Sequence, residues 1–290
     1  MHSSGKIVWL ASYPKSGNTW FRIFLANLLR NSDTPANINE LEGGPIASSR
    51  QLFDEATGLS SADLTPDEIE NLRPEVYKYI SAESESLIFH KIHDAFVLTG
   101  NNEPLIPKEA TYKALYFVRN PLDVAVSFSH HANLPVDTIV KQMNDDQFAF
   151  CSRTDKLHNQ LCQKLLSWSH HIQSWTNQTD FPVHVMRYED MKTNAFETFK
   201  KATEFAGLEY TDMQIQRAIG FSDFKTIKSQ EEQYGFREKA PGSKEFFRKG
   251  KIGSWKEELS ETLIKTLINE HREMMLRFGY INAKGNIMEF

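Results

Sequence analysis

The chain has 290 residues, is 40% hydrophobic and carries a formal net charge of −5. This is enough apolar material for a sizeable core in one or two domains, and a pI near 6.1 excludes the basic surface that nucleic-acid binders present. Cys151 and Cys162 match no metal pattern and form no cysteine framework, which points to a reducing, cytoplasmic location.

Residues 7–11, IVWLA, read as a fully buried strand, too short for a signal peptide. No run approaches the ~18 apolar residues of a membrane span. TWFRIFLANLLR, residues 19–30, places apolar side chains at helical spacing. Residues 31–62 are polar, with Gly43, Gly44 and Pro45, and read mostly as loop. Thr65-Pro-Asp-Glu is a helix start: a capping hydroxyl, a first-turn proline, then acids. Residues 87–92 and 114–118 are two further apolar strands, and Asn120-Pro121 caps a helix, PLDVAVSFSHH. Leu157, Leu161, Leu165, Trp168, Ile172 and Trp175 are spaced as one helical stripe. Residues 183–186 form a fourth strand, followed by a helix over 190–205, a basic glycine-containing loop over 235–254 and a final helix over 257–277. The strand–helix alternation predicts one α/β domain over 1–290, with a central parallel sheet flanked by helices on both faces.

Ligands of such sheets sit beyond the carboxyl ends of the strands, and three stretches there carry chemistry. The first, SYPKSGNTW (residues 12–20), looks like a phosphate-binding loop G-x-x-x-x-G-K-[ST] that has lost its lysine. Asn18 stands at the lysine position, and Lys15 lies three residues upstream. Gly17 allows close backbone approach; Ser16, Asn18 and Thr19 add donors at a helix N-terminus, where anions bind. The second, IFHKIHDAF, puts Phe89, Lys91 and His93 on one strand face and His90 and Ile92 on the other. His93, at the catalytic edge, is a candidate general base. In the third, FVRNPLDVAVS, Arg119 leaves a strand at the same edge and suits a phosphate by its fork; a salt bridge to Asp123 is the plainer alternative. Later, FFRKGKIGSW surrounds Gly250 and Gly253 with Arg248, Lys249 and Lys251, as a mobile anion-binding loop would.

Together these stretches resemble the cytosolic-type sulfotransferases, with a spelling similar to bacterial members. SYPKSGNTW is similar to that family's phosphosulfate loop, T-Y-P-K-S-G-T-T-W. YFVRNPLDVAVSFSHH resembles its 3′-phosphate strand–helix element, and FRKGKIGSWK its R-K-G-x-x-G-D-W-K loop. RYEDMKTN and SWSHHIQSW also match family segments, and the likeness runs in order from residue 7 to about 278. The resemblance implies 3′-phosphoadenosine 5′-phosphosulfate (PAPS) as donor, 3′-phosphoadenosine 5′-phosphate (PAP) as product, and no metal. It implies that Lys15 contacts the scissile oxygen, that Ser16, Gly17, Asn18 and Thr19 cradle the 5′-phosphate, and that Trp20 and Phe224 enclose an adenine bonded by Tyr188. It assigns Arg119, Ser127, Arg248, Lys249 and Gly250 to the 3′-phosphate, adds Ser222 and Phe247 to the nucleotide site, and makes His93 the base, assisted by Lys91.

Asn18 replaces the usual threonine, Ile92 sits within what is usually K-T-H, and Ser254 replaces the aspartate of G-D-W. The family's pairing motif K-x-x-x-T-V-x-x-x-E has no counterpart after Lys256, so the homodimer the resemblance implies lacks its usual signature. The expected acceptor is a small, partly hydrophobic molecule, with residues 31–62 and 134–155 as its pocket and Phe53, Phe128, Phe148 and Phe150 as apolar walls. No nucleic acid or membrane partner is expected. A P-loop kinase or NTPase is the first rival, but it needs the absent lysine and a magnesium-binding acid, for which Asp94 is only a weak match. A non-catalytic nucleotide-binding protein is the second. His130/His131 and His170/His171 suggest no metal cage, because neighbours on a helix point about 100° apart.

Overall fold

The computed structural model describes residues 5–239, 242–243 and 245–290. In chain order the elements are β1 (Ile7–Ser12), α1 (Asn18–Arg30), α2 (Arg50–Thr57), α3 (Pro66–Glu83), β2 (Ile88–Ile92), β3 (Thr111–Val118), α4 (Pro121–Ala132) and α5 (Val136–Met143). Then follow β4 (Ala149–Phe150), β5 (Gln163–Lys164), α6 (Trp168–Asn177), β6 (Val183–Arg187), α7 (Tyr188–Thr193), α8 (Ala195–Phe205), α9 (Asp212–Phe221) and α10 (Phe224–Tyr234). The last three are α11 (Trp255–Glu258), α12 (Glu261–Glu270) and α13 (Arg272–Arg277).

Four strands form a parallel sheet in the order β2-β1-β3-β6, flanked by helices. The β1–β2 register runs from Ile7 opposite Ile88 to Ala11 opposite Ile92. β1 is buried at all six positions, which explains the unbroken apolar spelling of residues 7–11: a parallel strand covered on both faces has no polar side.

The chain divides into two compact units. The first contains the segment ending at Tyr13 together with Gly43–Tyr116 and Asp146–Val185. Within it Trp9 packs edge-on against Tyr77, at 5.1 Å, and His90 lies 5.6 Å from Trp9. His90 therefore faces the packed interior, the side its strand position predicts. Thr65 and Glu68 close a reciprocal capping box that starts α3. From α3, buried Arg73 reaches the buried Asp94 carboxylate with both terminal nitrogens, at 2.8 and 2.7 Å. Its Nη1 also donates to the Cys162 carbonyl and its Nε to the Tyr77 hydroxyl.

The second unit contains Pro14–Glu42, Phe117–Asp145 and Met186–Phe290. Its core joins the α1 side chains Phe21 and Phe24 to Phe199, with Phe21 also against Phe117. A second cluster gathers Ile23, Ile38, Ile227, Phe236 and Phe247.

Several boundaries differ from the sequence reading. Residues 31–62 hold α2, which Ser49 caps by accepting from Leu52 N and Gly58 ends in a left-handed turn. The stripe from Leu157 to Trp175 is not one helix. Leu166 takes a positive φ of 61° and Ser167 caps α6, so only Trp168, Ile172 and Trp175 share a buried helical face, and Leu157 is 62% exposed. The helix expected over 190–205 is two, because Asn194 leaves helical geometry at φ −144° and ψ 59°. The final helix is three, interrupted by extended Leu259 with its following cap Ser260, and by His271. β2 joins β3 without a helix among the described residues, so the alternation is not strict.

Candidate active site

Between β1 and α1 the chain turns through two left-handed residues, Lys15 at φ 70° and Gly17 at φ 103°. A Cβ on Gly17 would stand 2.8 Å from the Tyr188 ring, so this position needs glycine both for its backbone angle and for space. Gly17 is also the N-cap of α1 and brings no capping side chain. The helix therefore presents its positive end without an internal carboxylate or hydroxyl acceptor at the cap. Ser16 is 1% exposed, and its hydroxyl has no hydrogen-bond partner among the described residues. Asn18 is buried, and Thr19 and Trp20 are half-buried.

Arg119 leaves the end of β3 and folds over the loop. Its Nη1 donates to the Lys15 carbonyl and its Nη2 to the Lys251 carbonyl, each at 3.2 Å. Its guanidinium lies 4.2 Å from the centre of the Tyr188 ring, a cation–π stack. Its buried Nε has no partner among the described residues. The Asp123 alternative does not hold, since that carboxylate accepts instead from Gly253 N, at 2.8 Å, and Trp255 N, at 3.2 Å. Asp123 thereby ties the basic loop to α4. Buried Glu189 accepts from Asn120 N and from the Tyr280 hydroxyl, fixing the turn that delivers Arg119. Ser127 lies two turns into α4, half-buried.

The basic loop is held by acids. Glu258 accepts from Arg248 Nη1 at 2.8 Å, from Lys249 Nζ at 3.1 Å and from His130 Nε2 at 2.5 Å. Glu257 takes a second bond from Lys249, at 2.8 Å. Partial burial alone would raise the Glu258 pKa, but these three donors bring it down to about 2. Gly250 has φ 57°, and a Cβ there would lie 2.3 Å from the Phe224 ring. Lys15 Nζ sits 4.1 Å over Phe246. The Trp20 indole donates to the Ser222 carbonyl at 2.7 Å and has Lys192 Nζ 5.0 Å from its ring. The Ser222 hydroxyl turns back onto Ala218 and Ile219, so its contact with Trp20 is through the backbone. Phe247 is buried in the Phe236 cluster. Lys192, Phe246, Glu257 and Glu258 were missed in the sequence, and Asp123 was read only as an alternative partner of Arg119. Glu257 and Glu258 were the most findable, as carboxylates directly following Lys256 and the cations before it.

In the first unit, His93 lies one residue beyond β2 and is half-buried. Its Nδ1 is 2.9 Å from the Ser12 carbonyl and 3.3 Å from the Ser12 hydroxyl. A carbonyl can only accept, so in the neutral ring Nδ1 carries the proton and Nε2 the lone pair. Lys91 is half-buried, its backbone N–H and C=O bonded to Gly43 and Ala47. Phe53 and Phe128 are buried in their own units. Phe148 and Phe150 are half-buried and meet edge to face at 5.6 Å. Among the described residues no three His, Cys, Asp or Glu side chains gather as a metal would require, and no helix is long and apolar enough to cross a membrane.

A model of the sulfotransferase domain family matches residues 6–279. The chain belongs to the sulfotransferase family. Among curated proteins, this sulfotransferase is 25% identical to Cytosolic sulfotransferase 13 of Arabidopsis thaliana, with 92% of this chain and 76% of the relative covered. It is also 25% identical to Flavonol 3-sulfotransferase of Flaveria bidentis, with 90% and 78% covered. Among solved structures, mouse sulfotransferase SULT7A1 complexed with PAP superposes with a TM-score of 0.55 at 21% identity, covering 97% of this chain and 87% of that one. Retinol dehydratase in complex with androsterone and inactive cofactor PAP gives 0.60 at 20% identity, covering 93% and 80%. These two likenesses fix the fold of this sulfotransferase; the family match makes it an enzyme of that class.

Proposed function

We propose that this enzyme transfers a sulfuryl group from PAPS to a hydroxyl of a small and partly hydrophobic acceptor, an amine being the second choice, and releases PAP. The observation that carries the donor is the pair of buried polar atoms, Ser16 Oγ and Arg119 Nε, that have no partner among the described residues, beside two glycines that no larger residue could replace without clash. Each orphaned group costs about 1–3 kcal/mol, and phosphate oxygens would satisfy both.

Bound PAPS would supply an activated sulfuryl group on a phosphate leaving group. Ser16, Gly17, Asn18 and Thr19 would hold the 5′-phosphate. Arg119, Ser127, Arg248, Lys249 and Gly250 would hold the 3′-phosphate, and Trp20, Phe224, Tyr188, Ser222 and Phe247 would frame the base. His93 Nε2 takes the acceptor proton, Lys15 stabilises the departing oxygen, and Lys91 stabilises charge on the transferred oxygens. Half-buried Phe148 and Phe150, both in the first unit, would wall the acceptor. The flavonol- and androsterone-related names among the relatives support an apolar acceptor. Residues 1–290 are read as a single sulfotransferase domain, which the unbroken family match over 6–279 supports, and the cytosolic relatives support a cytoplasmic location. A homodimer remains part of this reading; nucleic acid and membrane do not. The kinase alternative loses its magnesium ligand, since both Asp94 oxygens are engaged by Arg73.

Calorimetry in EDTA-containing buffer tests the donor site. PAP should bind at least ~10-fold more tightly than AMP, because charge-assisted bonds to the 3′-phosphate contribute about 1.5–3 kcal/mol each. Arg119→Ala should erase most of that preference. Equal affinities in the parent protein, or binding that needs magnesium, would sink the assignment.

Gly250→Ala should weaken PAP by about tenfold, since the free loop would relax out of the left-handed angle and away from Phe224, and binding would have to restore that conformation at a cost of roughly 1–2 kcal/mol. Unchanged PAP affinity would remove Gly250 from the site.

A further inference from the structure

Residues 93–96 follow the end of β2 and precede β3, so the sheet ladder does not account for their backbone polar groups, which still need partners when buried. One face of α6 supplies three of them. His171 Nε2 lies 3.0 Å from the His93 carbonyl oxygen. Trp175 Nε1 donates to the Asp94 carbonyl at 3.0 Å. Phe96 N donates to Ser174 Oγ at 3.0 Å. Positions 171, 174 and 175 are spaced three and four apart, which puts them on one helical face.

His171 is the member of this set that touches the candidate base. The His93 carbonyl can only accept, so His171 Nε2 carries a proton. Its Nδ1 then bears the lone pair and accepts from the Tyr116 hydroxyl, at 2.7 Å. This tautomer satisfies both contacts at once. Complete burial pushes the His171 pKa down to about 4, so the ring stays neutral, as an accepting Nδ1 requires. Tyr13 packs edge-on against the same ring at 5.5 Å. No step of the proposed transfer uses His171 or Tyr116.

We propose that His171, held by Tyr116, is a positioning residue: it pins the His93 backbone so that His93 Nδ1 stays bonded to the Ser12 carbonyl and Nε2 is kept as the basic nitrogen. The proposal rests on the reading of His93 as base, and the test separates the two. The full-length protein is labelled with ¹⁵N-histidine, and the His93 signals are assigned by their loss in His93→Ala. The parent should show His93 as a single Nδ1-protonated tautomer. His171→Phe, which fills the same space without either hydrogen bond, should give averaged tautomer signals for His93. His171→Gln, whose amide nitrogen can reach where Nε2 was, should restore the parent pattern. Tyr116→Phe removes only the hydroxyl and should shift the His93 signals in the same direction as His171→Phe. It decides the matter should His171→Phe fail to fold.

Rates with PAPS and a flavonol as acceptor form the second arm. His171→Phe should lower kcat about 10- to 100-fold, the scale of a misplaced catalytic group, without changing KM for PAPS. In a His93→Ala background it should cause no further loss. Unaltered His93 signals in folded His171→Phe or Tyr116→Phe, or a His171→Gln that behaves like His171→Phe, would overturn the proposal. A His93→Ala enzyme of full activity would instead overturn the base assignment, and the NMR arm would still decide the clamp.

Discussion

His93→Ala should lower kcat by roughly 10²–10⁴-fold, the usual contribution of a positioned general base, and leave PAP affinity within about twofold, since the loss is confined to the transition state. The argument is geometric. His93 Nδ1 is committed to the Ser12 carbonyl, so the ring can offer its other nitrogen as a base without exchanging tautomers. His90, three residues earlier, is enclosed by Trp9 and Tyr77 and serves as the control. His90→Ala should reduce stability and spare the rate per folded molecule. Single-turnover transfer, with nucleotide binding measured separately, checks both. A His90→Ala enzyme that loses transfer while His93→Ala keeps it would reverse the assignment.

Asp94→Ala should destabilise the protein by about 3–5 kcal/mol, the cost of leaving one partner of a buried ion pair alone. Asp94 and Arg73 are both almost wholly buried, and among the described residues the Arg73 guanidinium would retain the Cys162 carbonyl and the Tyr77 hydroxyl. The double replacement Arg73→Met, Asp94→Leu should recover most of the loss, because buried pairs exchanged for apolar residues of similar size are often neutral. Urea unfolding of the three proteins is the measurement. Asp94→Ala with parental stability would mean that the pair is solvated, and equal loss in the double variant would place the cost in packing.

The sheet and the phosphate loop were legible because each carries its signal locally. β1 spells burial on both faces without interruption, and Gly17 and Gly250 are glycines for reasons of space that any backbone passing there would impose. The capping residues at Thr65 and Asn120 marked α3 and α4 for the same reason. Breaks inside helical patterns were not legible. Leu166 adopts a left-handed angle that nothing in leucine favours, so tertiary packing overrides a stripe that looked continuous from Leu157. Thr211 and Gln214 form a capping box at the start of α9, a signal that is local and present in the spelling. At the site, the residue types of the anion-binding groups could be picked out one by one. Of their internal partners, Asp123 was not legible, because it meets the loop only across 130 residues of chain; Glu258, 10 residues from Arg248, carries a local signal as an acid just after the cations.

The carboxylate that Arg248, Lys249 and His130 share has a kinetic consequence. On the assignment of this loop to the 3′-phosphate, an arriving nucleotide meets cations already neutralised, and binding is an exchange of one anion for another. The same exchange runs backwards after turnover: Glu258 competes for the cations as PAP departs, so product leaves without stranding bare charges. Glu258→Gln should therefore hold PAP more tightly and release it more slowly in stopped-flow displacement, and an enzyme limited by product release would then turn over more slowly although its affinity had improved.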